Sequence, residues 1–294
     1  YPAAALTVLA ARGPHAVFAM AGFERLITVD RAGWRRAPLR ALWGAPGLLA
    51  RLRAGRFDLS VDLHSYKETN WLAYLAGVPR RVAMLRPTRS VARLINLPPP
   101  PDDPYGRLLE RYCQVLAPLG IAVEDRVPRL APAPEAQARA AEVLGMGAGE
   151  RPLLGLCPGA GNPGRRWPSR WFAALAQRAV ETWGARAVVF AGPEEDDRML
   201  ADFAGLPQVR VVGGLSIAEL AAALARCRLV VTNPTGPSHL AAAVGARLLT
   251  LGEIPAFDPV ALAPGQVTAL RARGTVAALP FDEVLAAAAG IWAG

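Results

Sequence analysis

Apolar positions in this chain fall into two textures. Between residues 153 and 251, short runs of four or five consecutive apolar residues alternate with Ala- and Leu-rich segments at helical spacing. The runs Leu153–Cys157, Ala187–Ala191, Val209–Val212, Leu229–Thr232 and Arg247–Leu251 show almost no polar alternation, so each is expected to be a parallel strand buried on both faces. Between them the pattern predicts helices over Ser169–Trp183, Asp196–Phe203, Ile217–Cys227 and Ser238–Val244, with Ser238 placed to cap the last. Regular strand–helix alternation of this kind means a doubly wound parallel sheet.

The first half is less regular. Strands are expected at Leu6–Leu9, Leu26–Val29, Leu59–Leu63 and Arg81–Leu85, and a basic loop at Arg31–Arg36. Pro38–Leu52 reads as a helix interrupted at Gly44–Gly47, or as two short ones. Trp71–Leu75 continues a helix, and Tyr105–Leu119 is an amphipathic one. Pro98–Pro104 is a proline run that fits neither helix nor central strand. Pro128–Pro134 alternates proline and reads as a linker, followed by a helix over Glu135–Leu144. The expected division is residues 1–132, residues 133–280, and a final helix within 281–294 that packs back on the first domain.

Two loops carry candidate chemistry. Asn233–Pro237 joins a buried strand to a helix, and the amides at such a helix start suit a phosphate. Taken alone, the stretch reads equally as an ordinary βαβ turn. Pro158–Gly164 is Gly/Pro-rich and precedes Arg165 and Arg166. Glycines let a backbone approach a ligand closely, and the arginines would clamp a diphosphate. The same pair also reads as solvated surface arginines. Glu194 and Glu195 follow a strand and would accept from ribose hydroxyls, or simply open an acidic helix with Asp196 and Asp197. His239, in a first helical turn, is placed either to touch the ligand or to pack helix on sheet.

Charge and cysteine content narrow the partners. The 294-residue chain carries a net charge of +9. Residues 1–145 hold 20 Lys/Arg against 12 Asp/Glu, an excess of +8, whereas residues 146–294 hold 13 against 12. Such a field draws anionic partners, and a phosphorylated lipid at a membrane surface fits. No aromatic–basic module of a nucleic-acid binder is evident, so no nucleic acid is expected. Cys113, Cys157 and Cys227 are far apart and read as buried free thiols. The three scattered histidines and the cysteine spacing predict no metal site and no cofactor. No apolar stretch is long enough to span a bilayer.

Several motifs in order resemble glycosyltransferase family nine, the lipopolysaccharide heptosyltransferases. They are Phe57-Asp58-Leu59-Ser60-Val61-Asp62-Leu63-His64 with Gly77-Val78-Pro79-Arg80-Arg81, Pro158-Gly159-Ala160 with Arg165-Arg166-Trp167-Pro168, Ala191-Gly192-Pro193-Glu194-Glu195, and Pro234-Thr235-Gly236-Pro237-Ser238-His239-Leu240-Ala241-Ala242-Ala243. The resemblance implies an α/β fold of GT-B type, two Rossmann-like domains facing a cleft. It implies a metal-independent transfer of a heptose or related sugar from an ADP-sugar to an anionic, lipid-linked saccharide.

Donor contacts are then expected at Pro158, Gly159, Arg165, Arg166, Glu194, Glu195, Thr235, Gly236, Pro237, Ser238 and His239. Acceptor contacts are expected at His64, Lys67, Arg80 and Arg81. The family's opening strand and R-x-x-x-L-G-D loop, whose Asp serves as base, have no counterpart here. The N-terminal domain is therefore expected to lack its first strand and helix, leaving Asp62 as the substitute carboxylate. Pro234 stands where the family has Asp, and Arg166 where a Lys is usual. The rival expectation is a degenerate homologue that binds nucleotide sugar without transferring it. A monomer is expected in the cytoplasm, touching the inner membrane face.

Overall fold

The computed structural model describes residues 3–30, 38–86, 88–98, 108–145, 151–192, 195–253, 265–272 and 274–294, excluding the side chains of 38–43 and 253. The expected basic loop Arg31–Arg36, residues 99–104 of the proline run, Tyr105, Pro193 and Glu194 lie outside the described residues.

In chain order the elements begin with strand β1 (Thr7–Ala11), helix α1 (His15–Met20), β2 (Arg25–Val29) and α2 (Pro38–Ala54). They continue with β3 (Leu59–Asp62), α3 (Lys67–Leu75), β4 (Arg80–Ala83) and α4 (Leu108–Gln114). Then come α5 (Pro134–Leu144), β5 (Leu153–Cys157), α6 (Ser169–Trp183), β6 (Arg186–Ala191), α7 (Asp197–Ala201) and β7 (Val209–Gly213). The chain closes with α8 (Ile217–Ala225), β8 (Leu229–Thr232), α9 (Gly236–Ala243), β9 (Leu248–Glu253), β10 (Val267–Ala272) and α10 (Phe281–Ala293).

Two compact units result: one made of 1–8, 14–26 and 127–294, the other of 9–13 and 27–126. The dividing point therefore follows Arg126 rather than residue 132, and Pro14–Leu26 belongs with the later unit.

The later unit holds a six-stranded sheet in the order β10-β9-β8-β5-β6-β7, parallel at every pairing. The chain winds outward from β5 through β6 and β7, then returns to β5's other side for β8, β9 and β10. The direction thus reverses between β5 and β8, and ligands of open α/β sheets bind outside the carboxyl ends of the strands at such a reversal. One face of the sheet packs Leu154, Leu156, Val231 and Leu249 against Phe172, Leu175 and Ala179 of α6 and Val284, Ala288 and Trp292 of α10. The other packs Leu153, Val188, Phe190 and Leu248 under α5, α8 and α9. Strands buried on both faces explain why these runs read as continuous apolar stretches. Gly155 is a point of close approach: a Cβ there would lie 2.8 Å from Cys227 Sγ. Cys157 and Cys227 are buried free thiols, and burial pushes the Cys227 thiol up to about 12.

Several expectations need correction. Helix α10 packs on the C-terminal sheet, because its apolar stripe fits beside α6 on the same face. Helix α2 runs without interruption through Gly44–Gly47 and includes Pro46. Ser238 does not cap α9. The helix starts two residues earlier, with Thr235 at its N-cap and Pro237 in its first turn, and Ser238 Oγ donates to Thr235 O at 2.6 Å. Strand β10 and helix α1 had no sequence reading. The linker is not slack: Leu130 N donates to Ala243 O and Ala131 N to Met20 O, both at 2.9 Å.

In the earlier unit, β3 pairs parallel with β4, and Val82, Met84 and Val115 form its small core.

Candidate functional site

At the reversal point, one side chain ties the two loops together. Asn233 follows β8 and is fully buried. Its Nδ2 donates to Pro158 O at 2.6 Å, and its Oδ1 accepts from Trp167 N at 3.0 Å. It thereby joins the loop after β5, the segment after the arginines, and the loop before α9. Trp167 is anchored in turn. Its Nε1 donates to Leu279 O at 3.0 Å, and its ring centroid lies 5.1 Å from Phe172 and 6.3 Å from Phe281. Sequence reading missed Asn233, taking it only as a turn residue. A polar side chain between an apolar strand and a proline was the available signal.

Around this point the residues expected to contact a donor sort into distinct places. A Cβ on Gly159 would fall 1.9 Å from Glu195 Oε1, so the Glu195 carboxylate rests against this glycine. Glu195 Oε2 accepts from Gly192 N at 2.8 Å, which fixes it between the tips of β5 and β6. Arg166 Nε donates to Ala160 O at 2.8 Å, holding the half-buried guanidinium beside the glycine loop, whereas Arg165 is exposed. Helix α9 opens with no side-chain cap. Ser238 N already turns back to Thr235 O at 3.1 Å, so the amides left without an intrahelical acceptor are those ahead of it, and the end carries partial positive charge. Pro237 contributes no N–H there. His239 is half-buried at the end of the first turn, and burial pushes its pKa below the ordinary 6.5, favouring neutral imidazole.

These elements border a cavity of about 750 Å³, a size that suits a ligand of nucleotide dimensions. Gly159, Glu195, Thr235, Gly236, Pro237 and His239 line it, and Phe190, Val212, Leu215, Ile217 and Leu220 form an apolar stretch of wall. Pro14, Val17, Pro128 and Leu130 complete it, so α1 and the linker are part of the site. Pro158 and Ser238 are spent on internal bonds and do not line the cavity. Arg165 and Arg166 do not line it either, though Ala160, which Arg166 grips, does.

The earlier unit holds the remaining candidates, and two of them are corrected. Asp62 Oδ1 accepts from His64 N at 3.1 Å and Ser65 N at 2.7 Å, while Oδ2 accepts from Thr69 Oγ1 and from Asn70 Nδ2 at 3.1 Å. Four donors on one carboxylate make Asp62 the organiser of the turn after β3, including buried Ser65 at φ 49°. It is thereby withdrawn as the base. Arg81 Nε donates to Leu94 O at 2.7 Å, Nη1 donates to Val78 O at 2.5 Å, and the guanidinium lies over Tyr74. That side chain staples the loop after β4 and is not held out for an acceptor. His64 is exposed and stacks on Tyr66 at 6.0 Å. Lys67 opens α3, and it and Arg80 are exposed.

Comparison with known proteins gives the family and the fold class. The family model for glycosyltransferase family 9 (heptosyltransferase) matches residues 47–253. The lipooligosaccharide heptosyltransferase 2 of Haemophilus influenzae is 27% identical over 228 residues, covering 71% of this chain and 65% of that protein. The match thus spans just under two thirds of that relative's length. The structure of E. coli ADP-heptose LPS heptosyltransferase II is similar with a TM-score of 0.81 at 22% identity, covering 100% of this chain and 91% of that one. E. coli heptosyltransferase WaaC with ADP-2-deoxy-2-fluoro heptose gives 0.73 at 20% identity, covering 96% and 89%. These likenesses show an α/β fold of GT-B type. With its family model matched over well more than half its length, this chain belongs to glycosyltransferase family 9, the heptosyltransferases.

Proposed function

We propose that the chain transfers a heptose, or a related sugar, from an ADP-sugar to an anionic lipopolysaccharide-core acceptor, without a metal ion. The observation that carries this reading is the cavity at the β5–β8 reversal, which a glycine loop and an uncapped helix start both line, with Arg166 anchored on Ala160 at its margin.

The base of the nucleotide rests on the apolar wall of Phe190, Val212, Leu215, Ile217 and Leu220. Glu195 accepts from the ribose hydroxyls. The diphosphate meets the amides of Thr235 and Gly236 on one side and the Arg166 guanidinium on the other. During transfer an acceptor oxygen bonds to the anomeric carbon. The bond from that carbon to the phosphate oxygen breaks, and its electron pair leaves on ADP. The growing negative charge falls at the helix start, and the Arg166 guanidinium would reach it from the adjoining loop, so the stabilisation would increase toward the transition state. The acceptor proton leaves to a general base. His64, Lys67 and Arg80 remain the proposed acceptor contacts, and the basic first half of the chain attracts the acceptor. The proposed setting is the cytoplasm, with the chain acting as a monomer. Among the described residues no helix is long and apolar enough to cross a membrane.

Calorimetric titration with ADP, UDP and an ADP-sugar in EDTA tests this reading. Saturable adenine-nucleotide binding that survives EDTA is expected, followed by mass-spectrometric detection of a hexose- or heptose-extended acceptor. Absence of saturable binding, or its loss in EDTA, overturns it.

A further inference from the structure

We infer that the outer face of α3 docks on an anionic lipid bilayer. Trp71, Tyr74 and Leu75 are spaced three and four apart and share one face of the helix. They are 38%, 48% and 46% exposed, so three large apolar side chains stand side by side in water. The two rings meet edge to face, with centroids 5.8 Å apart.

Cations rim this face. Arg93 lies over the Trp71 ring at 5.9 Å, and Arg81 over the Tyr74 ring at 5.4 Å. Arg53 Nε donates to Leu75 O at 3.1 Å, placing a third guanidinium at the helix's carboxyl end. Lys67 begins the helix one turn before Trp71, beside Glu68, the helix's acidic residue. Arg53 and Arg93 are exposed. Arg81, held by two carbonyls, is a fixed post that stiffens the ring beside it.

The occupant must therefore be apolar and anionic at once. A bilayer surface has that combination: Trp and Tyr settle at headgroup depth, arginines pair with lipid phosphates, and an anionic leaflet attracts each basic residue nearby. Helix α3 has 9 residues, too few to span a membrane, so it lies in the plane of the interface. The charge excess of +8 in residues 1–145 acts in the same direction. This inference deepens the proposed function, because a lipid-linked acceptor is reached from the membrane surface, but it does not need the transferase reading to be tested.

The test is flotation of the full chain with phosphatidylcholine vesicles, with and without phosphatidylglycerol, and with neither donor nor acceptor present. The chain is expected to float with anionic vesicles and to release them in high salt. Trp71→Ala with Tyr74→Ala is expected to weaken binding at least about tenfold. Arg53→Ser with Arg93→Ser is expected to weaken it about tenfold or more, each basic residue contributing roughly fivefold, and to flatten the salt dependence. Leu75→Glu, at an exposed position, gives the same loss by charge and guards against misfolding of the double variant. All variants should keep wild-type ADP affinity and Tm, and ADP affinity is measured separately, so failure of the donor site is distinguishable from failure of this surface. Equal binding to neutral vesicles, no vesicle binding, or wild-type binding by the variants overturns the inference. So does concentration-dependent self-association, abolished by the aromatic variant, in a chain that ignores vesicles; that result would make the face an interface between two copies.

Discussion

Gly159→Ala probes the donor site through a single contact. The added methyl would fall 1.9 Å from Oε1 and 2.4 Å from Cδ of Glu195. The three nearest atoms all belong to the Glu195 side chain, so the flexible carboxylate is expected to move and the fold to survive. The move breaks the 2.8 Å bond from Gly192 N to Oε2. For a half-buried carboxylate that costs about 1 kcal/mol of stability. Binding suffers more. A carboxylate withdrawn from a pair of ribose hydroxyls removes about 1.5–3 kcal/mol, or roughly 10- to 150-fold in Kd. Titration calorimetry with ADP reads the affinity, and urea denaturation reads the stability. Glu195→Ala should reproduce most of the affinity loss. In the double variant the two losses should not multiply, since both act through one carboxylate. Unchanged ADP affinity in Gly159→Ala would refute the reasoning. Tighter ADP binding by Glu195→Ala would refute it differently, by showing that the carboxylate repels the diphosphate.

Arg166→Ala should weaken ADP-sugar binding by roughly 10- to 100-fold, with Arg166→Lys recovering only part, because a point charge replaces a planar fork; titration calorimetry measures both. His239 gives a pH signature. Its folded pKa is depressed below the ordinary 6.5 by burial, so the unfolded chain binds the proton first on acidification. Stability is then complete above about 6.5, declines as pH falls toward the lowered folded value, and levels off below it; His239→Asn should remove this component from a Tm–pH series. Asn233→Ala strands Pro158 O and Trp167 N in a buried place, and should destabilise by about 2–4 kcal/mol while abolishing ADP binding; chemical denaturation and titration report the two. Trp167→Ala should cost about 3–5 kcal/mol by emptying the space between Phe172 and Phe281, read by the same denaturation.

What the bare sequence made legible follows from burial. Leu153–Cys157, Ser169–Trp183 and Leu229–Thr232 match their elements end to end, since strands covered on both faces and a strongly amphipathic helix write their pattern into consecutive residues. Val267–Ala272 escaped because it is an edge strand whose Thr and Arg interrupt the apolar run. The start of α9 was misplaced because Gly236 and Pro237 read as turn residues, although proline is well suited to a first helical turn. Asp62 and Arg81 looked chemical because their partners are hidden in one dimension. Asn70 lies eight residues from Asp62, and Leu94 thirteen from Arg81. Of the residues expected at the donor, Gly159, Thr235, Gly236 and Pro237, set by backbone and loop geometry, all line the cavity. Asn233, whose role is to bond two loops 75 and 66 residues away in sequence, was not.

The short helix Gly236–Ala243 is finished at one end and open at the other. Its trailing carbonyls are already occupied: Leu130 N reaches Ala243 O at 2.9 Å, and Gln266 Nε2 reaches Ala242 O at 3.1 Å. Its leading edge has no such side-chain closure. The polarity of the peptide units is therefore quenched by the protein where it is negative and left to the cavity where it is positive. The chain itself thus closes this structural element at one end only, and under the proposed function an arriving anion would complete the other.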